Sequence, residues 1–183
     1  MPRYIVLLRG VNVSKGNRVP MAGFKRLLED LGCTQVTTVL NSGNAVVSWP
    51  GRSGAALAHA VGASLQQHFG VVTPVLVRSA AAFAAVVERN PMPPSDEDHS
   101  RFLVVFAQDA AALQALAPLA ALVVAPERFE VTDVAAYLSC PAGLLASKVG
   151  TALVGKAGAA LTTRNWATVM KLHALLLVKQ AGH

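Results

Sequence analysis

Two polar stretches interrupt an apolar, alanine-rich chain and carry the side chains best suited to chemistry. One is Arg9-Gly10-Val11-Asn12 with Lys15 and Asn17; the other is Thr162-Thr163-Arg164-Asn165-Trp166. The chemistry they offer is recognition of an anion. Arg9 supplies a planar fork of donors, Lys15 a point charge, and the asparagines neutral hydrogen bonds. The second stretch reads as the start of the last helix, where free amides and the helix dipole favour negative charge. Arg164 there adds a cation where the dipole disfavours one, which an anionic ligand or an acidic partner side chain would explain. Ser42 and Asn44, in a polar turn between two strands, are further candidates to line a site.

Each motif also has a plain structural reading. Arg9 could pair with a core acid such as Glu130 or Asp133 while Asn12 and Asn17 make turns. Ser42-Gly43 is what a tight hairpin demands. Thr162 or Thr163 is a natural N-cap. Trp166 could pack against the core or stack on a base. Neither stretch contains a nucleophile-base pair or a nucleotide fingerprint, so a catalytic role stays open and no cofactor is expected. His59, His68, His99, His173 and His183 share no metal-ligand spacing. Asp96-Glu97-Asp98 reads as a solvated acidic loop before it reads as a metal site.

The elements that must position these residues follow from hydrophobic period. Tyr4 to Val11 reads as a buried strand, and Asn12 to Pro20 as a loop. Met21 to Leu31 is a helix with Phe24, Leu27, Leu28 and Leu31 on one face. Gln35 to Leu40 and Ala45 to Trp49 are strands around the Asn41 to Asn44 turn. Gly54 to Phe69 is a second helix and Val71 to Val77 a strand. That β-α-β-β-α-β order is the ferredoxin-like one. It is complete by residue 78, so the expected fold is α+β with two such halves, 1–78 and 79–183. The second half reads less regularly: helix Ala80 to Arg89, strand Arg101 to Ala107, helix Ala110 to Ala117, a strand pair at Phe129 to Thr132 and Val134 to Cys140, helix Gly143 to Leu153, and a terminal helix Asn165 to Gln180. No repeat is visible in the residues themselves, so duplication rests on element order alone.

Composition narrows the function classes. The chain of 183 residues is 53% hydrophobic and 14% charged, which excludes disorder. No apolar stretch reaches the ~18 residues a membrane span needs. No signal-peptide pattern opens the sequence, and Cys33 and Cys140 form no disulfide framework. A cytoplasmic protein without a membrane partner is expected. All ten acids lie between Glu29 and Asp133. The net charge therefore runs +6 over residues 1–28, −5 over the middle and +5 over residues 134–183. If the two basic ends adjoin, with Arg9 or Asn12 near the Arg164 to Trp166 helix start, they make one positive face able to attract phosphates. Otherwise the basic residues simply solubilise the surface.

At LLRGVNV, VPM, NSGN and TTRNWATV the chain resembles a widespread bacterial family called domain of unknown function 1697. The matching residues are Leu7 to Val13, Lys15 with Asn17, Pro20-Met21, Ser42-Gly43-Asn44 and Thr162 to Trp166. Asn90-Pro91-Met92 departs from the family's asparagine-proline-phenylalanine. The family's lysine ahead of the terminal motif corresponds to Lys148 or Lys156. The resemblance implies two ferredoxin-like halves and no particular activity. Three readings then compete: a binder of a small phosphorylated or carboxylated molecule, a nucleic-acid-binding module, and a structural or oligomeric protein without a ligand. The low aromatic content of 5% weighs against the second.

Overall fold

A computed structural model describes residues 1–51, 53–155 and 160–178. The chain divides into two units. The first comprises Met1–Ala84 with Lys171–His183, the second Ala85–Met170. The segment from Lys171 onward thus belongs with the first unit. Each unit is a mixed α/β structure built on a four-stranded antiparallel sheet.

In the first unit the order is β1 (Arg3–Leu8), α1 (Met21–Asp30), β2 (Thr34–Val39), β3 (Asn44–Ser48), α2 (Gly54–Phe69) and β4 (Val75–Ser79). The strands lie in the order β2-β3-β1-β4. Side chains alternate across the sheet. Tyr4, Val6 and Leu8 on β1, Ala45 and Val47 on β3, and Val75 and Val77 on β4 face the helices. They meet Phe24, Leu27 and Leu28 of α1 and Leu57, Val61 and Leu65 of α2. Each fully buried aliphatic or aromatic side chain contributes about 1.5–3 kcal/mol. Residues of the opposite face, Ile5, Leu7, Val46 and Leu76, are buried as well. Ser53 caps the N-terminus of α2, and Gly70, in the left-handed conformation, ends it. The expected strand Val71 to Val77 starts later, because Val71 still folds back to bond the Leu65 carbonyl and Pro74 has no N–H to give a ladder.

The second unit holds α3 (Ala80–Glu88) from Ala85 onward, then β5 (Phe102–Ala107), α4 (Ala110–Gln114), β6 (Arg128–Val131), β7 (Ala136–Ser139), α5 (Lys148–Val154), β8 (Leu161–Asn165) and the first part of α6 (Trp166–Leu177). Its strand order, β6-β7-β5-β8, repeats that of the first sheet position for position. Leu103, Val105, Ala136, Leu138 and Leu161 pack on one face with Leu113, Val149 and Leu153 from the helices.

The second unit differs most from the sequence expectation. The expected helix Ala110 to Ala117 is a single short α4 followed by a 3-10 turn at Ala117–Leu122, with Pro118 at its start. The expected helix Gly143 to Leu153 starts only at Lys148, because Ser147 caps it through the Gly150 amide at 2.9 Å. The largest correction is at Leu161–Asn165. This segment is a strand paired with β5, not the beginning of a helix. The expected end of the last helix at Gln180, and Lys156, lie outside the described residues.

Candidate functional site

The N-terminal polar stretch begins where β1 ends. Arg9 is half-buried, and its amide bonds the Pro74 carbonyl at 3.2 Å. The Thr73 hydroxyl donates to the Arg9 carbonyl. Burial pulls the Arg9 guanidinium below its usual pKa. The acids once expected as its partners are engaged elsewhere: Asp133 with Arg89 at 2.9 Å and Glu130 with Arg128 at 3.6 Å.

Asn12 organises the loop that follows. Its backbone sits at φ 58°, a left-handed conformation that asparagine tolerates. Its Nδ2 donates to the Val19 carbonyl and to the Asn41 carbonyl, each at 2.8 Å. Its Oδ1 accepts from the Val19 amide at 2.9 Å, and its own amide bonds the Asn17 carbonyl at 3.0 Å. Asn12 therefore closes the loop and ties it to the β2–β3 turn. That leaves its side chain a structural part of the site. Asn17, at φ 48°, also serves the backbone turn. Lys15, Asn17 and Arg18 are exposed, and neither Lys15 nor Arg18 forms an ion pair among the described residues.

The turn from Leu40 to Gly43 comes close to β1. The Leu8 amide bonds the Gly43 carbonyl at 2.8 Å. Gly43 has φ 78°, and a Cβ there would lie 2.6 Å from the Leu8 Cβ. Only glycine meets both demands. Asn44 is fully buried; its Nδ2 donates to the Val39 carbonyl at 3.0 Å and to the Ser42 hydroxyl at 2.9 Å. Ser42 and Asn44 brace the turn.

The second polar stretch lies in the second unit. Arg164 is 7% exposed, the penultimate residue of β8, opposite Val104. One of its guanidinium nitrogens donates to the Thr162 hydroxyl at 2.7 Å and the Thr163 carbonyl at 2.8 Å. Desolvation pulls its pKa down to about 10. The expectation of an exposed cation at a helix start is thus overturned: Arg164 is buried sheet structure. The N-cap is likewise neither Thr162 nor Thr163. It is Asn165, whose Oδ1 accepts from the Thr168 amide and the Thr168 hydroxyl, both at 2.9 Å. The chain is still extended at Thr163, so a side chain there is placed too early to cap. Trp166 is buried and meets Phe102 edge to face at 5.6 Å, a packing role. Arg9 and Asn12 belong to the first unit, Thr163 to Trp166 to the second.

Within the first unit a residue the sequence reading passed over links β1 to the last helix. Arg3 of β1 donates to the carbonyls of Leu175 and Leu176 on α6, both at 2.9 Å. It caps the last turn of that helix, where carbonyls lack partners and the dipole welcomes a cation.

A second missed residue is Arg78. On β4 it stands opposite Ile5, as Arg164 on β8 stands opposite Val104. Its guanidinium bonds the carbonyl of the preceding residue at 3.1 Å, as Arg164 does, and desolvation lowers its pKa too. Ser79 follows and bonds the Ala82 amide at 3.2 Å, capping α3 as Asn165 caps α6. Arg-Ser and Arg-Asn thus mark the same strand-to-helix junction in the two units. A polar pair at the end of an apolar strand was the available signal.

Among the described residues no group of three or more His, Cys, Asp or Glu could hold a metal ion. Asp96 and His99 approach to 3.5 Å, and the Ser95 hydroxyl donates to Asp98 at 2.8 Å, in a 3-10 turn over Asp96–Arg101. No helix is long and apolar enough to cross a membrane among the residues described.

No curated protein matches this chain. Among solved structures it is similar to the conserved bacterial protein SP0830 from Streptococcus pneumoniae. The TM-score is 0.78 at 23% identity, over 96% of this chain and 98% of that one. At that identity the likeness bears on the fold alone. The model of a protein family of unknown function, DUF1697, matches residues 1–137, which include the N-terminal loop and the β2–β3 turn and end before the Thr162 to Trp166 stretch. The chain belongs to the DUF1697 family.

Proposed function

We propose that this is a cytoplasmic protein of two ferredoxin-like halves that binds a phosphate-bearing anion on the loop of residues 9–20. The ferredoxin-like reading is supported by the β-α-β-β-α-β order and the strand order β2-β3-β1-β4 in the first sheet, repeated as β6-β7-β5-β8 in the second. The observation that carries the binding reading is the Asn12 network. It closes the exposed loop on itself and ties it to the β2–β3 turn, so that Lys15 and Arg18 stand on a braced loop that follows Arg9 in the chain. Preorganised donors bind an anion without first giving up loop entropy. The absence of any acid from residues 1–28 keeps the local field positive. Arg164 is not part of this reading, since its cation is buried in β8.

Titration with pyrophosphate and with a short single-stranded oligonucleotide, at about 50 mM and about 200 mM salt, tests the proposal. Pyrophosphate binding that falls roughly tenfold, about 1.4 kcal/mol, in Lys15→Ala/Arg18→Ala supports it. Oligonucleotide binding with a steep salt slope favours a nucleic-acid backbone as the source of the phosphate. Failure of both ligands to bind overturns it.

A further inference from the structure

The loop that carries Lys15 and Arg18, and the two connections bonded to it, hold exposed aliphatic side chains. Val13 is 79% exposed, Leu40 54% and Val72 74%. All three belong to connections at one end of the first sheet: after β1, between β2 and β3, and before β4. Hydrogen bonds lock the connections together. Asn12, next to Val13, bonds Asn41, next to Leu40. Thr73, next to Val72, bonds Arg9. Leu40 sits at φ 58°, a left-handed conformation where glycine or asparagine is the usual choice. A leucine there is half exposed and sits where the backbone disfavours it.

We infer that this end of the first unit docks on an anionic lipid surface, with Val13, Leu40 and Val72 entering the headgroup layer and Lys15 and Arg18 bonding lipid phosphates. This rests on the anion-binding reading and names the source of its phosphate. Single exposed aliphatics are ordinary. Three on interlocked loops, one of them carrying Lys15 and Arg18, in stretches 1–28 and 31–87 that hold no acid, match the two components of peripheral membrane binding: apolar burial and attraction to anionic lipid. A nucleic-acid backbone would use the cations and leave the aliphatics exposed. The sequence-based expectation of no membrane partner considered spanning segments, and docking by loops requires none.

The test uses the full chain with vesicles of phosphatidylcholine alone and of phosphatidylcholine mixed with phosphatidylglycerol, read by co-sedimentation. Binding to the mixed vesicles only is expected. The triple variant Val13→Ser/Leu40→Asn/Val72→Ser should bind at least tenfold more weakly, and Lys15→Ala/Arg18→Ala weaker by about fivefold per cation. Leu145→Ser serves as a control: Leu145 is 93% exposed but lies in the second unit, and its loss should change nothing. All three side chains are exposed, so the triple variant folds, which circular dichroism checks. Pyrophosphate binding without vesicle binding overturns the membrane proposal and leaves the anion site standing. Equal binding by the triple variant and the wild type also overturns it. Failure with vesicles and pyrophosphate alike removes both readings.

Discussion

Asn12 and Val19 are bonded in both directions, side-chain amide to carbonyl at 2.8 Å and backbone amide to side-chain oxygen at 2.9 Å. The six loop residues 13–18 are closed by one side chain, which spends its remaining hydrogen on the Asn41 carbonyl. Asn12→Asp keeps the acceptor and replaces the donor with an oxygen facing two carbonyls. It should lower stability by about 1–3 kcal/mol, the cost of leaving such groups unpaired. Asn12→Gly keeps the left-handed backbone and loses only the bonds. Urea unfolding of both checks the assignment; a glycine variant as stable as the wild type would refute it.

Gly43 faces a steric limit rather than a bonding one. An alanine methyl would lie 2.6 Å from the Leu8 Cβ and 2.8 Å from a Val11 methyl, at φ 78°. The turn would have to leave β1, breaking the bond from Leu8 to Gly43. Gly43→Ala should cost about 2–4 kcal/mol, overpacking and backbone strain together. Thermal denaturation within about 1 kcal/mol of the wild type would show that the turn relaxes freely.

Much of the first unit was legible because its residues obey one period each. Phe24, Leu27 and Leu28 mark α1 by themselves, and α2 has the predicted bounds from Gly54 to Phe69. The second unit was not, because alanine is compatible with helix, turn and loop. Between Ala110 and Leu122 only Leu113 and Leu116 become buried, too few to set a face. Strand β8 was missed because Thr162 and Thr163 read locally as N-caps of the last helix. What makes it a strand is pairing with β5, some sixty residues earlier. Of the candidate site, the types of residue were legible and their exposure was not. Asn44 and Arg164 look like ligands in sequence and are buried scaffold, while Lys15 and Asn17 stay exposed.

Arg164 should therefore behave as structure. Arg164→Ala removes the bonds to Thr162 and Thr163, among others, near the end of β8 and leaves the space of a large buried side chain. A loss of about 2–4 kcal/mol is expected. Pyrophosphate affinity per folded molecule should stay unchanged. Arg78→Ala should show the same pattern, smaller in size because Arg78 is the less buried of the pair. A variant of either that stays stable and loses anion binding would return the residue to the site.

Tyr137 gives a pH signature. Its hydroxyl donates to the Val86 carbonyl at 2.6 Å, and burial is the main cause of a pKa pushed up to about 12. The unfolded chain loses this proton near pH 10 and the folded chain keeps it. Its stabilising contribution is thus complete below about pH 10 and is lost as pH rises toward 12, on the order of 2 kcal/mol. Arg164 acts in the opposite sense over the same range, since its folded pKa is lowered. The clean measurement is the difference between wild type and Tyr137→Phe across pH 9 to 12. That difference should shrink with rising pH; a constant difference would mean the hydroxyl titrates alike in both states.

Leu40 joins the fold to the proposed surface. Its left-handed backbone costs a leucine about 1 kcal/mol that asparagine largely escapes. The side chain is mostly exposed, so removing it sacrifices little burial. Leu40→Asn alone should raise the unfolding free energy by about 0.5–1 kcal/mol. The same change should weaken binding to phosphatidylglycerol-containing vesicles and leave pyrophosphate binding intact. A residue that lowers stability yet strengthens a membrane contact is what a functional position predicts. Should Leu40→Asn destabilise the protein instead, the leucine is holding the turn together, and its exposure has no bearing on docking.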